Sequence, residues 1–288
     1  MSGKVISVVN RKGGVGKTTL TVGLADALVS ELSADVALVD LDPQGSASRM
    51  LMSDDEFADS VLEDRNLWGL MHGRIHGTAA KAEDVQFGMR HKIRGREGVN
   101  LDLIPNSDRF WDLEAEEVRL NNAIRLAVGI ERLLANLVET HHYVVVDCPP
   151  GQTFSTRAAL GASDLILVPT TPDRLSVWGM DLFRAYIAKE APDVPFKFVI
   201  TRYQATRLEA RNAVEVLSQQ SDMLQTVGGS SSRHGEYDFA IFSEAEQVRE
   251  RIQQNRLLTL NQIYGRRGAL ELSNIVRGTR RELGEPHG

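Results

Sequence analysis

Cysteine is nearly absent from this sequence, because Cys148 is the only one among 288 residues. A single cysteine excludes an intrachain disulfide, and it also excludes an iron–sulfur cluster or a zinc site built from several thiolates of the chain. The lack of disulfides is typical of proteins from reducing compartments, so a cytoplasmic location is expected. Cys148 follows an apolar run and is predicted to be a packed thiol.

Long apolar runs are also missing. No stretch approaches the roughly eighteen consecutive apolar residues of a membrane-spanning helix. The N-terminal MSGKVISVVN has no small-residue cleavage site after a long apolar region, so secretion is not expected. The C-terminal tail, GTRRELGEPHG, contains Gly278, Gly284 and a proline and has no aromatic residue, which disfavours an amphipathic membrane anchor.

An excess of basic residues is lacking as well, since the formal net charge is −6. A surface that is basic all over is therefore excluded, and any contact with nucleic acid must use a local patch. Residues 249–281 offer one candidate patch, with eight arginines against two glutamates. The alternative is that these arginines form a solvent-exposed helix face or loop with no binding role.

Short apolar, β-branched segments alternate along the chain with longer amphipathic ones. The predicted strands are Lys4–Val9, Val36–Val39, Leu101–Ile104, Tyr143–Val146, Leu165–Val168 and Phe196–Ile200. The predicted helices are Thr18–Leu32, Ala115–Leu137, Val177–Ala188 and Leu208–Gln219. Strands that are apolar on both faces, alternating with helices, predict an α/β fold with a mainly parallel, doubly wound sheet in a single domain over residues 1–288.

Two segments depart from this alternation. Residues 53–98 show no clear strand and are rich in polar residues and glycine, so they are predicted to be helices and loops inserted near the functional end of the sheet. Residues 228–235, GGSSSRHG, are predicted to be a flexible loop on composition alone.

A glycine-rich loop lies between the first strand and the first helix, where a phosphate-binding loop is expected. Its sequence is KGGVGKTT, and the residues predicted to bind a nucleotide are Gly13, Gly14, Val15, Gly16, Lys17, Thr18 and Thr19. The glycines let backbone N–H groups turn toward phosphate oxygens, and the helix adds the positive end of its dipole. Lys17 is expected to neutralise the β- and γ-phosphates, and the hydroxyl of Thr18 to ligate Mg²⁺.

Three aspartates stand at the carboxyl ends of predicted strands, where ligands gather in open α/β sheets. Asp40 and Asp42 follow the second strand, and Asp147 ends the run YVVVD before a Pro-Pro-Gly turn. We expect Asp42 to orient an attacking water, Asp40 to support Mg²⁺ from the outer coordination sphere, and Asp147 to reach Mg²⁺ through water. The alternative for Asp40 or Asp42 is that one of them only caps the following helix.

Four motifs follow one another along the chain: KGGVGKTT, then DLDPQGSAS at residues 40–48, NLDLIPNS at 100–107 and VVVDCPPG at 144–151. Together they resemble the ParA/MinD group of P-loop ATPases with a deviant Walker A motif, and most closely the ParA-type partition ATPases. The resemblance covers roughly residues 1–217. It implies a P-loop NTPase fold, ATP and Mg²⁺ as cofactors, and slow hydrolysis of ATP to ADP and phosphate.

The resemblance also implies partners. In that family the lysine at the position of Lys12 crosses the interface of an ATP-bound homodimer and touches the partner's phosphates. The dimer binds DNA without sequence preference, and a protein attached to the cargo stimulates hydrolysis, which places the family on the nucleoid. The corresponding candidates for DNA contact are Arg249, Arg251, Arg256, Arg266 and Arg267.

Residues 220–288 diverge from the family pattern, and its usual proline-containing segment is not recognisable around residues 241–247. Contacts to the adenine base are therefore unassigned. Three alternatives remain open: a MinD-like membrane-cycling ATPase, a P-loop metabolic synthetase, and a nucleotide-gated binding module without useful hydrolysis. The cargo could be a plasmid, a chromosome or a protein assembly, and the sequence does not choose among them.

Overall fold

The computed structural model describes residues 3–78, 81–89, 100–203, 207–217, 219–224, 241–242, 252 and 259–285. Eight strands form one sheet: β1 Lys4–Val8, β2 Val36–Asp40, β3 Phe87–Met89, β4 Leu101–Ile104, β5 Tyr143–Asp147, β6 Leu165–Thr170, β7 Phe196–Thr201 and β8 Ile241–Phe242. Their order across the sheet is β3-β4-β2-β5-β1-β6-β7-β8. The described pairs are parallel except for β3 with β4.

Ten α-helices accompany the sheet in the described residues. They are α1 Lys17–Leu32, α2 Ser46–Leu51, α3 Asp54–Leu62, α4 Leu67–Ile75, α5 Arg109–Arg119, α6 Ala123–Thr140, α7 Phe154–Gly161, α8 Arg174–Glu190, α9 Leu208–Leu217 and α10 Leu260–Glu282. A short 3-10 helix spans Ala82–Val85. In this part of the chain, no helix is long and apolar enough to cross a membrane.

The sheet separates two apolar cores. Along β1, Val5 contributes to one core and the next residue, Ile6, to the other, as the twofold alternation of a strand requires. Helices α6 and α8 pack on the first core, while α1 and α10 pack on the second. This arrangement confirms the predicted doubly wound α/β fold with helices on both faces.

Two predictions about secondary structure were wrong. Residues 53–98 contain a strand, β3, which pairs antiparallel with β4 at the sheet edge. Three residues are too few for a recognisable pattern, so only the pairing with β4 makes this strand visible. The predicted helix Ala115–Leu137 is two helices, because the chain turns after Arg119 at Asn121, whose φ is 54°. Asparagine tolerates this left-handed conformation better than most residues.

The C-terminal helix α10 belongs to the same sheet assembly. It packs along α1, where the hydroxyl of Tyr264 donates to Asp26 Oδ2 at 2.5 Å. Gly23 on α1 lies directly under Leu272, since a Cβ at this glycine would come within 2.9 Å of Leu272 Cδ2. The region that diverges from the family pattern therefore covers the helix that follows the glycine-rich loop.

Candidate functional site

The glycine-rich loop has the backbone shape that a bound phosphate requires. It joins β1 to α1, and both Gly14 (φ 72°) and Gly16 (φ 82°) adopt the left-handed conformation that glycine adopts without strain. Gly16 is the N-cap residue of α1, so the first N–H groups of the helix have no partner within the helix and face the loop. This is the setting in which helix N-termini bind anions.

Lys17 and Thr18 occupy the first turn of α1, and Lys17 is largely buried there. The hydroxyl of Thr18 donates to Asp147 Oδ2 at 2.8 Å, which joins the loop helix to the end of β5. The hydroxyl of Thr21 lies 3.0 Å from the other oxygen of Asp147. Thr21 was missed from the sequence, although its spacing of three from Thr18 places both hydroxyls on one helix face.

Asp40 and Asp147 are direct neighbours on adjacent strands, in register between β2 and β5. Both are fully buried. Burial raises the pKa of Asp40 well above its ordinary value, and the negative charge of Asp147 adds to this effect. Burial also raises the pKa of Asp147, to about 6; the hydrogen bond from Thr18 and the charge of Lys17 oppose this shift, and the charge of Asp42 reinforces it.

The oxygen donors at this point fit Mg²⁺. Among the described residues no group of three His, Cys, Asp or Glu side chains could hold a metal ion unaided. Mg²⁺, however, is usually held by one or two carboxylates together with phosphate oxygens and water. Thr18 and Asp147 supply a hydroxyl and a carboxylate side by side. A divalent cation would stabilise the charged form of Asp147, which burial and the nearby charge of Asp42 disfavour.

Both carboxylate oxygens of Asp40 accept hydrogen bonds from the protein, as those of Asp147 do, but two of the three donors to Asp40 are backbone N–H groups. Oδ2 accepts from the backbone N–H and the hydroxyl of Ser48 at 2.8 and 2.6 Å, and Oδ1 accepts from the N–H of Asp42 at 3.2 Å. The N–H of Ser48 lies in the first turn of α2, so Asp40 stabilises the start of this helix, whose N-cap residue is Gly45. Its outer-sphere role toward Mg²⁺ stays a prediction.

Asp42 stands in the turn between β2 and α2, at the same sheet edge. Its Oδ1 accepts from the N–H of Gln44 at 2.9 Å, and its carbonyl accepts from the N–H of Gly45 at 2.8 Å. Gly45 has a φ of 63°, and a Cβ there would come within 2.9 Å of the carbonyl of Asn106. These contacts fix the turn that carries Asp42, and the charge of Asp42 raises the pKa of Asp147.

Lys12 lies on the exposed rim of the loop. Its Nζ is 2.9 Å from Ser176 Oγ and 3.2 Å from Asp173 Oδ2, at the N-terminus of α8. Burial alone would raise the pKa of Asp173, but hydrogen bonds from Thr171, Ser176 and Lys12 lower it to about 2. Asp173 was not identified from the sequence, since nothing local to it predicts contact with a loop about 160 residues earlier.

A pocket of about 430 Å³ opens beside Lys12 and the outer side of the loop. Its walls include Asp173, Arg202 and Arg207, none of which the sequence motifs single out.

At the predicted DNA-contact positions, Arg249, Arg251 and Arg256 lie outside the described residues. Arg266 and Arg267 are exposed on α10, immediately after a kink at Gly265 whose φ is 73°.

Comparisons with known proteins agree with this geometry. A family model described as "AAA domain" matches residues 3–193. The chain is 31% identical over 178 residues to the sporulation initiation inhibitor protein Soj of Bacillus subtilis, a match that covers 62% of each protein. It is also 31% identical over 217 residues to an uncharacterised protein of Mycobacterium tuberculosis, covering 75% of this chain. The chain spans 62% of the length of both relatives.

Among solved structures, the chain is similar to a protein of Borrelia burgdorferi assigned to plasmid partition and bound to AMPPNP. The TM-score is 0.73, and the match covers 97% of this chain and 99% of that one. Because the two sequences are 22% identical, this likeness shows the fold alone.

Proposed function

We propose that this chain, which belongs to the AAA domain family as one of its ParA-type P-loop ATPases, partitions or positions a cargo by cycling between ATP and ADP. In this proposal it binds Mg·ATP, dimerises around the nucleotide and binds DNA without sequence preference. A cargo-bound partner stimulates the slow hydrolysis that ends the cycle. The observation that carries the proposal is the convergence of the glycine-rich loop with Thr18, Asp147 and Asp42 at one sheet edge.

Nucleotide binding uses groups that this edge already holds in place. The loop N–H groups donate hydrogen bonds to the phosphate oxygens, and Lys17 at the start of α1 neutralises their charge. Thr18 and Asp147 would hold Mg²⁺, which supplies further charge neutralisation at the phosphates. Asp42 orients the attacking water, a role that its fixed turn suits because the carboxylate loses little freedom on binding.

Dimerisation is supported by the surroundings of Lys12. This side chain is about half exposed and is held by Asp173 and Ser176, so it can exchange these contacts for a phosphate of a second copy. Beside it, α8 presents an apolar face in which Leu175, Trp178 and Leu182 are 75%, 82% and 68% exposed. Three large apolar side chains at helical spacing on a surface are typical of an interaction site.

DNA binding rests on the two described arginines of the candidate patch. Arg266 and Arg267 are exposed on α10, which packs on the helix that follows the glycine-rich loop. Contacts between arginine and phosphate are not sequence-specific, and they weaken as salt rises because bound counterions are released on association. Location on the nucleoid in the cytoplasm follows from this step of the proposal.

The proposal is tested by fluorescence anisotropy of a random-sequence DNA duplex with ATP, ADP or no nucleotide, at two salt concentrations. We expect binding with ATP alone, weaker at the higher salt. Lys17→Ala should abolish the increase in DNA binding that ATP causes. Replacing Arg266 and Arg267 by alanine should weaken binding more than replacing Arg119 and Arg125, two exposed arginines on α5 and α6.

Three results would overturn the DNA step. Equal binding in all nucleotide states would mean that DNA affinity is not controlled by ATP. No DNA binding, with ATP-dependent binding to anionic lipid vesicles instead, would identify a MinD-like membrane-cycling ATPase. ATP consumption that requires a small-molecule acceptor, without binding to either surface, would identify a metabolic synthetase.

A further inference from the structure

The last residue of β7 and the residue that follows it donate hydrogen bonds to two consecutive carbonyls of the glycine-rich loop. The hydroxyl of Thr201 donates to the carbonyl of Val15 at 2.6 Å. The guanidinium of Arg202 donates through Nη1 to the carbonyl of Gly14 at 2.7 Å. We call Thr201 and Arg202 the β7 clamp. Neither residue lies in the loop motif, and the sequence motifs do not predict the contact.

The geometry of the peptide bond gives these contacts a consequence. In a trans peptide the C=O and the N–H of one unit point in opposite directions. Because the carbonyl of Gly14 points toward Arg202, the N–H of Val15 points away from β7. For the same reason, the bond from Thr201 to the carbonyl of Val15 turns the N–H of Gly16 away from β7. Backbone N–H groups of glycine-rich loops bind anions, so we expect phosphate oxygens on the side of the loop to which these two N–H groups point.

The backbone of Arg202 supports a function for this contact. Its φ is 55°, in the left-handed region that few residues other than glycine adopt. The other described non-glycine residues with positive φ are Ser33, Asp64 and Asn121, which are small and polar. A long arginine in this conformation is a local strain, and such strain persists where the surrounding structure holds the residue for a purpose.

The two members of the clamp act in different surroundings. Thr201 is buried, so its hydrogen bond is shielded from competing water. Arg202 is exposed and lines the pocket of about 430 Å³ together with Lys12 and Arg207. Its bond to Gly14 is charge-assisted, and it withdraws electron density from the peptide, which makes the Val15 N–H a stronger donor.

We propose that Thr201 and Arg202 are positioning residues that set the Val15 and Gly16 N–H groups for phosphate binding. This inference rests on the proposed function, because it assumes that the loop binds a nucleotide. The clamp acts through the loop backbone and needs no contact with the nucleotide. A bound phosphate then meets N–H groups that are already oriented, so less ordering is required when it binds.

The test is equilibrium binding of fluorescent mant-ATP and mant-ADP to purified protein. We expect Thr201→Val and Arg202→Met each to weaken binding of both nucleotides about tenfold, which is the effect of one hydrogen bond of about 1.4 kcal/mol. Thr201→Ser keeps the hydroxyl and should stay within about twofold of the unmodified protein. Arg207→Met removes one positive charge from the same pocket and should also stay within about twofold.

Arg202→Gly separates positioning from stability. Glycine adopts a positive φ without strain, so this variant should melt, without nucleotide, at the same temperature as the unmodified protein or higher. Its affinity for mant-ATP should nevertheless fall about tenfold, like that of Arg202→Met. A residue with a purely structural role would move both quantities in the same direction.

The outcomes distinguish a failure of the proposed function, nucleotide binding, from a failure of the β7 clamp. If the unmodified protein binds neither nucleotide, the proposed function fails. If it binds them and Thr201→Val and Arg202→Met bind equally well, the clamp is wrong. If Arg207→Met and Arg202→Met lost equal affinity for the nucleotides, the positive charge of the pocket would be the cause and not the hydrogen bond to Gly14. A loss in Thr201→Ser as large as that in Thr201→Val would assign Thr201 a packing role.

Discussion

Thr18 and Asp147 are 129 residues apart in the chain, yet the hydroxyl of one donates to a carboxylate oxygen of the other at 2.8 Å. The bond joins the first turn of α1 to the end of β5, so the glycine-rich loop and the buried carboxylate are parts of one site. Asp42 and Lys17 act on the same carboxylate, since the charge of Asp42 raises its pKa and the charge of Lys17 lowers it. The following predictions start from this cluster and its surroundings.

Asp42→Ala should separate ATP binding from ATP hydrolysis. The variant keeps the loop, Lys17 and Thr18, so its affinity for ATP should stay within a few fold of the unmodified value. Loss of water positioning should slow hydrolysis about 100-fold or more, and the protein should accumulate as an ATP-bound dimer. Single-turnover hydrolysis and light scattering measure these two effects. Asp112→Ala, at an exposed position on α5, is the control, and rapid hydrolysis by Asp42→Ala would remove this residue from the mechanism.

Substitutions at Lys12 and at Asp173 should have opposite effects on dimerisation. Lys12→Ala should bind ATP and remain monomeric, because it lacks the charge that we propose contacts the nucleotide of the second copy. Asp173→Asn should dimerise with ATP at lower protein concentration, because Lys12 loses the carboxylate that holds it in the monomer. Analytical ultracentrifugation over a concentration series measures both. Unchanged dimerisation in Lys12→Ala would leave its role across the interface without support.

The apolar face of α8 should contribute to the dimer and hardly at all to the folded monomer. Leu182 is 68% exposed, so Leu182→Glu should change the free energy of unfolding by about 0.5 kcal/mol or less. The dissociation constant of the ATP-bound dimer should rise at least about tenfold, since a charge would be buried at the interface. Ile124→Glu is the matched control, because Ile124 is 73% exposed on α6. Equal effects of the two substitutions would exclude α8 from the interface.

His141 should make stability depend on pH. Burial alone would lower its pKa, but hydrogen bonds to Asp102 and to the carbonyl of Leu137, with nearby negative charge, raise it above the ordinary value. Nε2 lies 3.0 Å from Asp102 Oδ2. Because the folded-state pKa is raised, the folded protein holds the proton more tightly than the unfolded chain does. The resulting stabilisation is complete below about pH 6.5 and is lost as the pH rises through the folded-state pKa.

The measurement is urea unfolding of the unmodified protein and His141→Gln at pH 6 and pH 9. The difference in free energy of unfolding between the two proteins should be larger at pH 6. Asp102→Asn should remove most of this pH dependence, because it removes the partner that raises the pKa. Full pH dependence in Asp102→Asn would show that the ion pair is not its source.

The sequence by itself determined those features that depend on short stretches of chain. Glycines at positions 14 and 16, followed by Lys17 and Thr18, can be recognised locally because they need only a strand before them and a helix after them. The strands that carry Asp40 and Asp147 were predicted for a similar reason, since continuous apolar runs indicate buried parallel strands. The doubly wound fold followed from the alternation of these strands with helices, and the family followed from the order of the motifs.

Only the tertiary structure decided which distant residues meet the loop. Thr201 and Arg202 reach Val15 and Gly14, and Asp173 holds Lys12, through contacts that span more than 150 residues and leave no periodic pattern in the chain. The strand β3 likewise exists because β4 lies beside it. Local chemistry specified which groups could bind a phosphate, whereas the packing of β6, β7 and α8 around the loop set the orientation of those groups.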